Sequence, residues 1–266
     1  MAAQPVRFVH ISDSHLRDPL DFEEHGQNPH VNLRAVVAAI EDLSPAPHFV
    51  IHSGDVVTDD TDLSYRHAAD IMSRLSVPFY CAMGNHDDRD LLRKHLTMGP
   101  HTSLTEETLC YRFAMAGECF LVLDSRHPHG GGAGLLSEEQ LTVVSQHVSD
   151  GDDPVSLFIH HPPIDTDCKW MKPLELLNLQ DLHNLLAAAP ARIRGVYSGH
   201  IHRGSHTTRD GISYTTVPAT WAQLNMLPAD LEPVWAEKEL PGFNYVTILE
   251  NSVLVRKFAV PVGASP

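Results

Sequence analysis

The stretch VPFYCAMGNHD, residues 77–87, decides the fold, because an apolar run stops abruptly at a glycine and continues with polar side chains. Short runs that are rich in β-branched or aromatic residues and end at Gly or Pro are typical of buried strands. We therefore predict a strand over Val77–Met83. The same pattern predicts five more strands, at Val6–Ile11, Phe49–His52, Cys119–Leu123, Val155–Ile159 and Ile193–Tyr197.

Helical patterns lie between these runs. Asn32 is the candidate N-cap of the first helix, and Pro190 ends the fourth. Strands that alternate with helices favour an α/β sandwich. Apolar residues recur at helical spacing in Val31–Leu43, Ser64–Leu75, Ser137–His147 and Leu174–Ala189, and a closing pair of strands is predicted at Phe243–Leu249 and Ser252–Val260.

The length of 266 residues suits a single domain, 1–266, whose core is large enough to fold without disulfides. Residues 205–242 lack a clear helical period and are rich in Thr, Pro and Trp. We interpret this segment as β-hairpins that form a small cap or an oligomerisation insertion.

The formal net charge is −15 when the histidines are counted as neutral. A field of this sign repels polyanions, so binding along DNA or long RNA is not expected. A small anionic substrate can still bind where divalent cations make the local potential positive.

The cysteines and the N-terminal residues indicate the compartment. The four cysteines form no CxxC pair and suit a reducing environment. The N-terminal residues lack the basic region, the long apolar region and the cleavage site of a signal peptide. No apolar segment approaches the ~20 residues of a membrane span. We expect a cytoplasmic protein that does not bind membranes.

Polar motifs follow the predicted strands at their C-terminal ends, where open α/β folds bring side chains into one crevice. Each motif alone has an ordinary explanation as a cap or a turn. Together they predict a metal centre, because imidazole, carboxylate and amide ligands suit Zn, Mn, Fe or Co. The motifs are Asp-x-His at Asp13 and His15, Gly-Asp at Asp55, Gly-Asn-His-Asp at 84–87, His-His-Pro-Pro at 160–163 and Gly-His-Ile-His at 199–202.

This ordered set resembles the signature of the calcineurin-like metallophosphoesterase superfamily. More narrowly, the chain is similar to the class III cyclic nucleotide phosphodiesterases and the glycerophosphodiesterases that group with them. The late segment PGFNY at 241–245 fits the same branch, and the resemblance extends from Val6 to about Val260. It implies a four-layer α-β-β-α sandwich with the late β-hairpin segment as a small cap.

The resemblance also implies two divalent metal ions and a role for each motif. In the His-His-Pro motif the residue two before the proline, His160, matches the family ligand, and His161 is structural. The first ion would be held by Asp13, His15 and His202, and the second by Asn85, His160 and His200, while Asp55 would bridge the two.

Two such ions imply hydrolysis of a phosphodiester by a metal-bridging hydroxide, since two cations lower the pKa of water and absorb phosphate charge. Asp55 and His86 are the predicted catalytic residues. His86 would contact the phosphate or protonate the leaving group, and its alternative role is packing. Asp87 or Asp88 would orient His86.

Small diesters are the expected substrates, with 3′,5′- or 2′,3′-cyclic nucleotides of the cyclic AMP type first and glycerophosphodiesters as the alternative. A phosphomonoesterase ranks lower, because no cluster of arginines lies near the motifs. A non-catalytic scaffold ranks lowest, because every ligand position is filled. The resemblance suggests a homodimer or a higher homo-oligomer, and Trp221 is a candidate for the pocket wall.

Overall fold

The computed structural model describes residues 4–149 and 153–263. Within these residues, no helix is long and apolar enough to cross a membrane. The strands are β1 (Val6–Ile11), β2 (Phe49–His52), β3 (Phe79–Cys81), β4 (Thr102–Ser103), β5 (Tyr111–Met115), β6 (Glu118–Val122), β7 (Val155–Phe158), β8 (Ile193–Ser198), β9 (His206–Arg209), β10 (Ile212–Thr216), β11 (Gly242–Leu249) and β12 (Ser252–Ala259). The helices are α1 (Pro29–Glu41), α2 (Asp62–Met72), α3 (Arg89–His95), α4 (Glu138–Ser149) and α5 (Leu179–Ala187), with 3₁₀ turns at Lys172–Leu174 and Pro190–Arg192.

Parallel strands in two sheets position the site. The first sheet has the order β12-β11-β1-β2-β3, and the second has the order β4-β5-β6-β7-β8-β10-β9. Strands β1, β2 and β3 are parallel to one another, and so are β6, β7, β8 and β10. Because parallel strands end at the same edge of a sheet, the loops that follow them are gathered there.

The two sheets pack face to face and are covered by helices on their outer faces. Side chains of β6 alternate between two cores, as the period of a strand requires. Phe120 and Val122 join the core that contains the first sheet with α1 and α2. Leu121, which points the other way, joins the core that contains α4 and α5. The layer order is therefore α-β-β-α, which confirms the predicted sandwich.

Phe8 lies at the centre of the contact between the sheets. Its ring stacks on Phe49 of the same sheet, with 5.1 Å between the ring centroids. It meets Phe158 and Tyr197 of the second sheet edge-on, at 5.4 and 5.2 Å. All four rings are buried. Stacked and edge-to-face pairs have preferred geometries, so this cluster fixes how the sheets face each other.

Helix α1 begins at Pro29, and its N-cap is Asn28 rather than Asn32. The Asn28 side chain accepts hydrogen bonds from two amides of the first turn, where Pro29 is well tolerated. Asn32 is buried within the helix and donates to the backbone oxygen of Trp221. The prediction of Asn32 as the cap is wrong, because this distant contact uses the side chain elsewhere.

The fourth predicted helix, Leu174–Ala189, is shorter in the structure. A 3₁₀ turn ends at Leu174, and α5 begins only at Leu179. Between them the chain bends and pairs with Gly134, which donates its amide to Glu175 and accepts one from Leu177. These contacts occupy the groups that a helix would need.

The segment 205–242 starts within the second sheet. Strands β9 and β10 form a hairpin, and β10 pairs in parallel with β8. Residues 217–241 are irregular apart from one isolated pairing between Leu224 and Trp235. The role of this segment as a cap or an oligomer contact stays a prediction.

Phe8→Ala is expected to lower the free energy of unfolding by ~3–5 kcal/mol, because it leaves a cavity between the sheets. Urea denaturation followed by circular dichroism measures this change. Phe258→Ala is the control, since Phe258 lies on the edge strand β12 and is 38% exposed. It should lose less than half as much stability, and equal losses would contradict the central position of Phe8.

Candidate metal centre

All seven predicted metal ligands lie in loops that follow parallel strands. Six of the side chains are buried, and Asn85 is half-buried. The site therefore lies where the strand ends of the two sheets meet. The first sheet supplies Asp13 and His15 after β1, Asp55 after β2 and Asn85 after β3, and the second supplies His160 after β7 and His200 and His202 after β8.

Asp55 lies between two groups of these side chains. Its Oδ2 is 3.2 Å from His160 Nε2 and 3.6 Å from His15 Nε2. On the His15 side, His15 Nε2 is 3.0 Å from His202 Nε2, which is 3.5 Å from Asp13 Oδ1. This group contains the first predicted set of ligands.

The second predicted set lies around His160. His160 Nε2 is 3.3 Å from Asn85 Oδ1 and 3.3 Å from His200 Nδ1. The structure thus brings all seven predicted side chains into one continuous cluster. Several triplets of these His and Asp side chains have ligand atoms close enough together to hold one ion.

Five of the seven residues have a left-handed backbone. This conformation is uncommon for residues other than glycine, and it persists where the surroundings enforce it, often at functional sites. Backbone hydrogen bonds enforce it here, since Asp13 donates its amide to Gly54 and His15 donates its amide to Asp55. The φ angles are 55° at Asp13, 47° at His15, 56° at Asp55, 71° at His200 and 45° at His202.

Two motif glycines allow the loops to approach each other. A Cβ atom on Gly84 would overlap the amide nitrogen and the carboxylate of Asp55. A Cβ atom on Gly199 would overlap Ser12 Oγ and crowd the carboxylate of Asp13. Close contact between loops therefore requires glycine at both positions.

The outer hydrogen bonds of the histidines test whether the site fits a cation. Three of the four ligand histidines face a backbone carbonyl oxygen with one ring nitrogen. A carbonyl oxygen only accepts, so that nitrogen carries the hydrogen, and the other nitrogen of the neutral ring presents a lone pair to the centre of the cluster. His15 Nδ1 similarly faces Thr58 Oγ1 at 2.9 Å. The inward nitrogens beside two carboxylates fit divalent metals, and the outer contacts fix the rings. The three carbonyl pairs are His160 Nδ1 with Ser53 (2.9 Å), His200 Nε2 with Leu174 (3.0 Å) and His202 Nδ1 with Ala222 (2.8 Å).

The electrostatics of the cluster also favour a cation. Burial lowers the pKa values of His15 and His200 well below the ordinary value. Burial opposes the charged form of Asp55, but the neighbouring imidazoles, His160 first, hold its pKa well below the usual range. Burial likewise opposes charging of His160, yet Asp55 and Asp13 raise its pKa to about 9. An imidazole binds a metal only in its neutral form, so a divalent ion bound here would compete with protonation of His160.

Asp87 holds two of the ligand loops together. Its Oδ2 accepts from the amides of Asp55 (2.9 Å) and Gly84 (3.0 Å), and its Oδ1 accepts from the amide of Val56 (3.0 Å). Burial, then the charge of Asp55, raise the pKa of Asp87 to about 6. Asp88 instead caps α3. Both carboxylates therefore bond to backbone, and the prediction that one of them orients His86 is not supported.

His161 is held by both ring nitrogens. Its Nε2 donates to the backbone oxygen of Gly132 at 3.1 Å, and its Nδ1 is 2.7 Å from Ser125 Oγ. Its ring lies 4.3 Å from that of His200. Its distance alone would allow it to bind a cation with His160 and His200. Because protein groups engage both nitrogens, a structural role stays our prediction for His161.

His86 lies at the open side of the cluster. Its side chain is exposed, and its amide donates to Asp55 Oδ1 at 2.9 Å. Its ring is 5.1 Å from the ring of His15. The side chain can therefore reach a molecule that enters the site.

Sequence reasoning missed several neighbours of the site. Thr58 and the carbonyl groups that orient the histidines have no recognisable signal in the sequence. His25 and Trp235 contact each other beside the His15 and His202 rings. They come from segments far apart in the chain, so only the fold brings them together.

A two-sheet α/β sandwich with histidine, carboxylate and amide groups at the joined strand ends defines a metal-dependent hydrolase. The chain belongs to the calcineurin-like phosphoesterase family, whose sequence model matches residues 6–204. This family is dimetal. The match confirms the predicted superfamily and the predicted enzyme class, a metallophosphoesterase.

Curated relatives carry two kinds of phosphodiesterase name. The chain is 27% identical over 233 residues to a glycerophosphodiester phosphodiesterase GpdQ of Enterobacter lignolyticus, covering 85% of this chain and 82% of the relative. It is 27% identical over 250 residues to the 3′,5′-cyclic adenosine monophosphate phosphodiesterase CpdA of Pseudomonas aeruginosa, covering 94% and 88%. A probable GpdQ of Arcobacter nitrofigilis is 30% identical over 209 residues, covering 75% and 72%.

Solved structures share the fold. A dimetal phosphatase from Danio rerio superposes with a TM-score of 0.67 at 17% identity, covering 98% of this chain and 100% of that one. The purple acid phosphatase PPD1 of yellow lupin gives a TM-score of 0.67 at 14% identity, covering 98% of this chain and 53% of that one. These likenesses confirm the predicted fold class.

Asp87→Asn is expected to weaken Mn²⁺ binding by about 10- to 100-fold, because an amide NH₂ would face backbone N–H groups that now donate to a carboxylate. Isothermal titration calorimetry on the metal-stripped protein measures the affinity. Asp88→Asn is the matched control, since asparagine caps a helix as well as aspartate does. Unchanged Mn²⁺ binding by Asp87→Asn would show that Asp87 does not position the ligand loops.

Proposed function

We propose that this protein is a dinuclear metal-dependent phosphodiesterase that hydrolyses small phosphodiesters, with cyclic nucleotides as the first substrate class. One observation carries the proposal. Seven carboxylate, amide and imidazole groups from two sheets form one cluster, six of them buried, and all four imidazoles turn a nitrogen inward. This donor set suits a pair of divalent ions.

The ligand roles follow from the position of Asp55. Its Oδ2 lies near His15 on one side and near His160 on the other, which supports a bridging role. Asp13, His15 and His202 would hold the first ion, and Asn85, His160 and His200 would hold the second. Mn, Fe, Zn and Co all accept these ligands.

The chain's own residues bind and orient the substrate. When bound, the two ions lower the pKa of water and neutralise phosphate charge. His86 stands at the open side, next to Asp55 and His15. We assign His86 to the leaving group, where its ring would donate a proton to the departing oxygen.

The charge of the protein also agrees with a small substrate. The formal net charge of −15 opposes long polyanions, whereas a compact diester experiences mainly the local field of the metal centre. The proposal therefore excludes long nucleic acids as substrates.

Glycerophosphodiesters are the second candidate class. The relatives from Enterobacter lignolyticus and Arcobacter nitrofigilis carry that name, while the relative from Pseudomonas aeruginosa is named for cyclic AMP. The metal ligands would serve both substrate classes equally. A cytoplasmic location and a homodimer or higher assembly through residues 205–242 are part of the same proposal.

The proposal predicts Mn²⁺-dependent turnover of bis(p-nitrophenyl) phosphate and of at least one natural diester, tested on 3′,5′-cyclic AMP, 2′,3′-cyclic AMP and glycerophosphoethanolamine. Asn85→Ala should lower kcat/KM by about 100-fold or more, since loss of a ligand exceeds the 10- to 100-fold cost of losing a ligand's partner. Asn184→Ala, on the exposed face of α5, is the matched control. Absence of metal-dependent turnover on all four substrates would refute the proposed activity.

His86→Ala is expected to lower kcat by about 10²- to 10⁴-fold for substrates that release an alkoxide, because these leaving groups need a proton. For bis(p-nitrophenyl) phosphate the loss should be less than about tenfold, because p-nitrophenolate is a stable anion and departs without a proton. Steady-state kinetics on the two substrate types measure the difference. Equal losses on both would assign His86 to phosphate binding rather than to proton donation.

A further inference from the structure

Three aromatic side chains, His25, Trp221 and Trp235, form a wall beside the first group of metal ligands. We call this group the aromatic wall. Trp221 lies 5.3 Å from the ring of His15, and Trp235 lies 5.6 Å from the ring of His202. The wall therefore directly adjoins two of the side chains that would hold the first ion.

The members of the wall contact one another. His25 and Trp235 stack with 3.9 Å between ring centroids and 17° between ring planes. Trp221 is tilted against both, at 5.6 Å from His25 and 5.4 Å from Trp235. The wall thus joins an N-terminal loop to the irregular loop before β11.

Hydrogen bonds fix Trp221 relative to the metal ligands. Its neighbour Thr220 donates its amide to the backbone oxygen of Ser12 at 2.9 Å. Its other neighbour, Ala222, accepts from His202 Nδ1 at 2.8 Å. The segment that carries Trp221 is thereby tied to the loops of both sheets, so the wall is preorganised with the site.

A chain of hydrogen bonds between buried side chains also holds the segment that carries Trp221. The amide of Gly54 donates to His52 Nδ1, so His52 Nε2 carries the hydrogen and donates to Ser14 Oγ at 2.7 Å. Ser14 in turn contacts Thr220 Oγ1 at 2.8 Å. This buried chain of hydrogen bonds ends at Thr220, the residue before Trp221, and therefore helps to fix the position of Trp221.

The wall retains unused binding capacity. Trp221 is only 4% exposed, and its indole N–H has no hydrogen-bond acceptor among the described residues. A buried indole N–H normally has a partner. His25 and Trp235 are half-buried, so part of their surface remains open to solvent.

We propose that the aromatic wall binds the nucleobase of a cyclic nucleotide while its phosphate lies at the metal centre. This inference rests on the proposed phosphodiesterase function and selects cyclic nucleotides over glycerophosphodiesters. Every base has a planar face that stacks on aromatic rings. His25 and Trp235 offer open ring surface to a base, whereas the buried Trp221 packs against both of them.

The geometry favours a base over the quaternary ammonium of a choline diester. An aromatic cage for a cation needs ring faces arranged around an open space. Here His25 and Trp235 are in van der Waals contact face to face, so no cation fits between them. A planar ring can instead extend the stack or cover the exposed surface of the indole.

The kinetic test compares three diesters on the Mn²⁺-loaded protein, namely 3′,5′-cyclic AMP, glycerophosphoethanolamine and glycerophosphocholine. Trp235→Ala should lower kcat/KM for cyclic AMP by about 10- to 100-fold more than for glycerophosphoethanolamine, and Trp235→Phe should restore most of the difference. Equal losses on all three substrates overturn the inference and leave the phosphodiesterase function intact. A selective loss on glycerophosphocholine overturns it in favour of a cation cage.

A binding measurement separates this inference from the proposed activity. Adenosine 5′-monophosphate should quench the tryptophan fluorescence more strongly than glycerol 3-phosphate, and Trp235→Ala should remove most of that excess. Trp170→Phe is the matched control, because Trp170 packs against a different apolar cluster, formed by Cys168, Met171 and Ile201. Quenching by the nucleotide without turnover of any diester supports the base site and refutes the activity. Equal quenching by both ligands overturns the base site.

Discussion

The structure depends on one backbone constraint, the sharp left-handed bend of the chain directly after its parallel strands. At Asp13, His15 and Asp55 the bend turns a carboxylate or an imidazole back toward the joint between the sheets. Amide groups of neighbouring loops hold the bends in place, and the carboxylate of Asp87 adds three further acceptor contacts. Gly84 leaves room for this packing, because any side chain there would displace Asp55.

These bends bring several carboxylates together in a buried region of the protein. The carboxylates of Asp13, Asp55 and Asp87 are all buried within one small region, and burial raises the pKa values of Asp13 and Asp87. Such a concentration of carboxylates is unfavourable unless cations or protons compensate it. The electrostatics therefore point to the same conclusion as the donor atoms, namely that the cluster is built for positive charge.

The sequence predicts those features that consecutive residues encode, and it does not predict features that depend on contacts between distant segments. The strand ends and all seven clustered side chains could be predicted, because each motif directly follows an apolar run. The cap of α1 was predicted wrongly although Pro29 marks Asn28 as the helix start, and the bond from Asn32 to Trp221 shows that the Asn32 side chain has another use. Helix α3, which is only seven residues long, and the alternating strand β5 offered signals too short to recognise. The stack of His25 on Trp235 had no local signal at all.

The cluster draws its side chains from both sheets, four from the first and three from the second. An ion held by such a set also links the two sheets, and so adds to the packing around Phe8 and to the hydrogen bonds between their loops, such as that of His160 to Ser53. An ion that binds only to the folded protein stabilises the folded state. Metal supply would then govern the lifetime of the protein as well as its activity, and a chain that acquires its ions late would remain easier to degrade until it does.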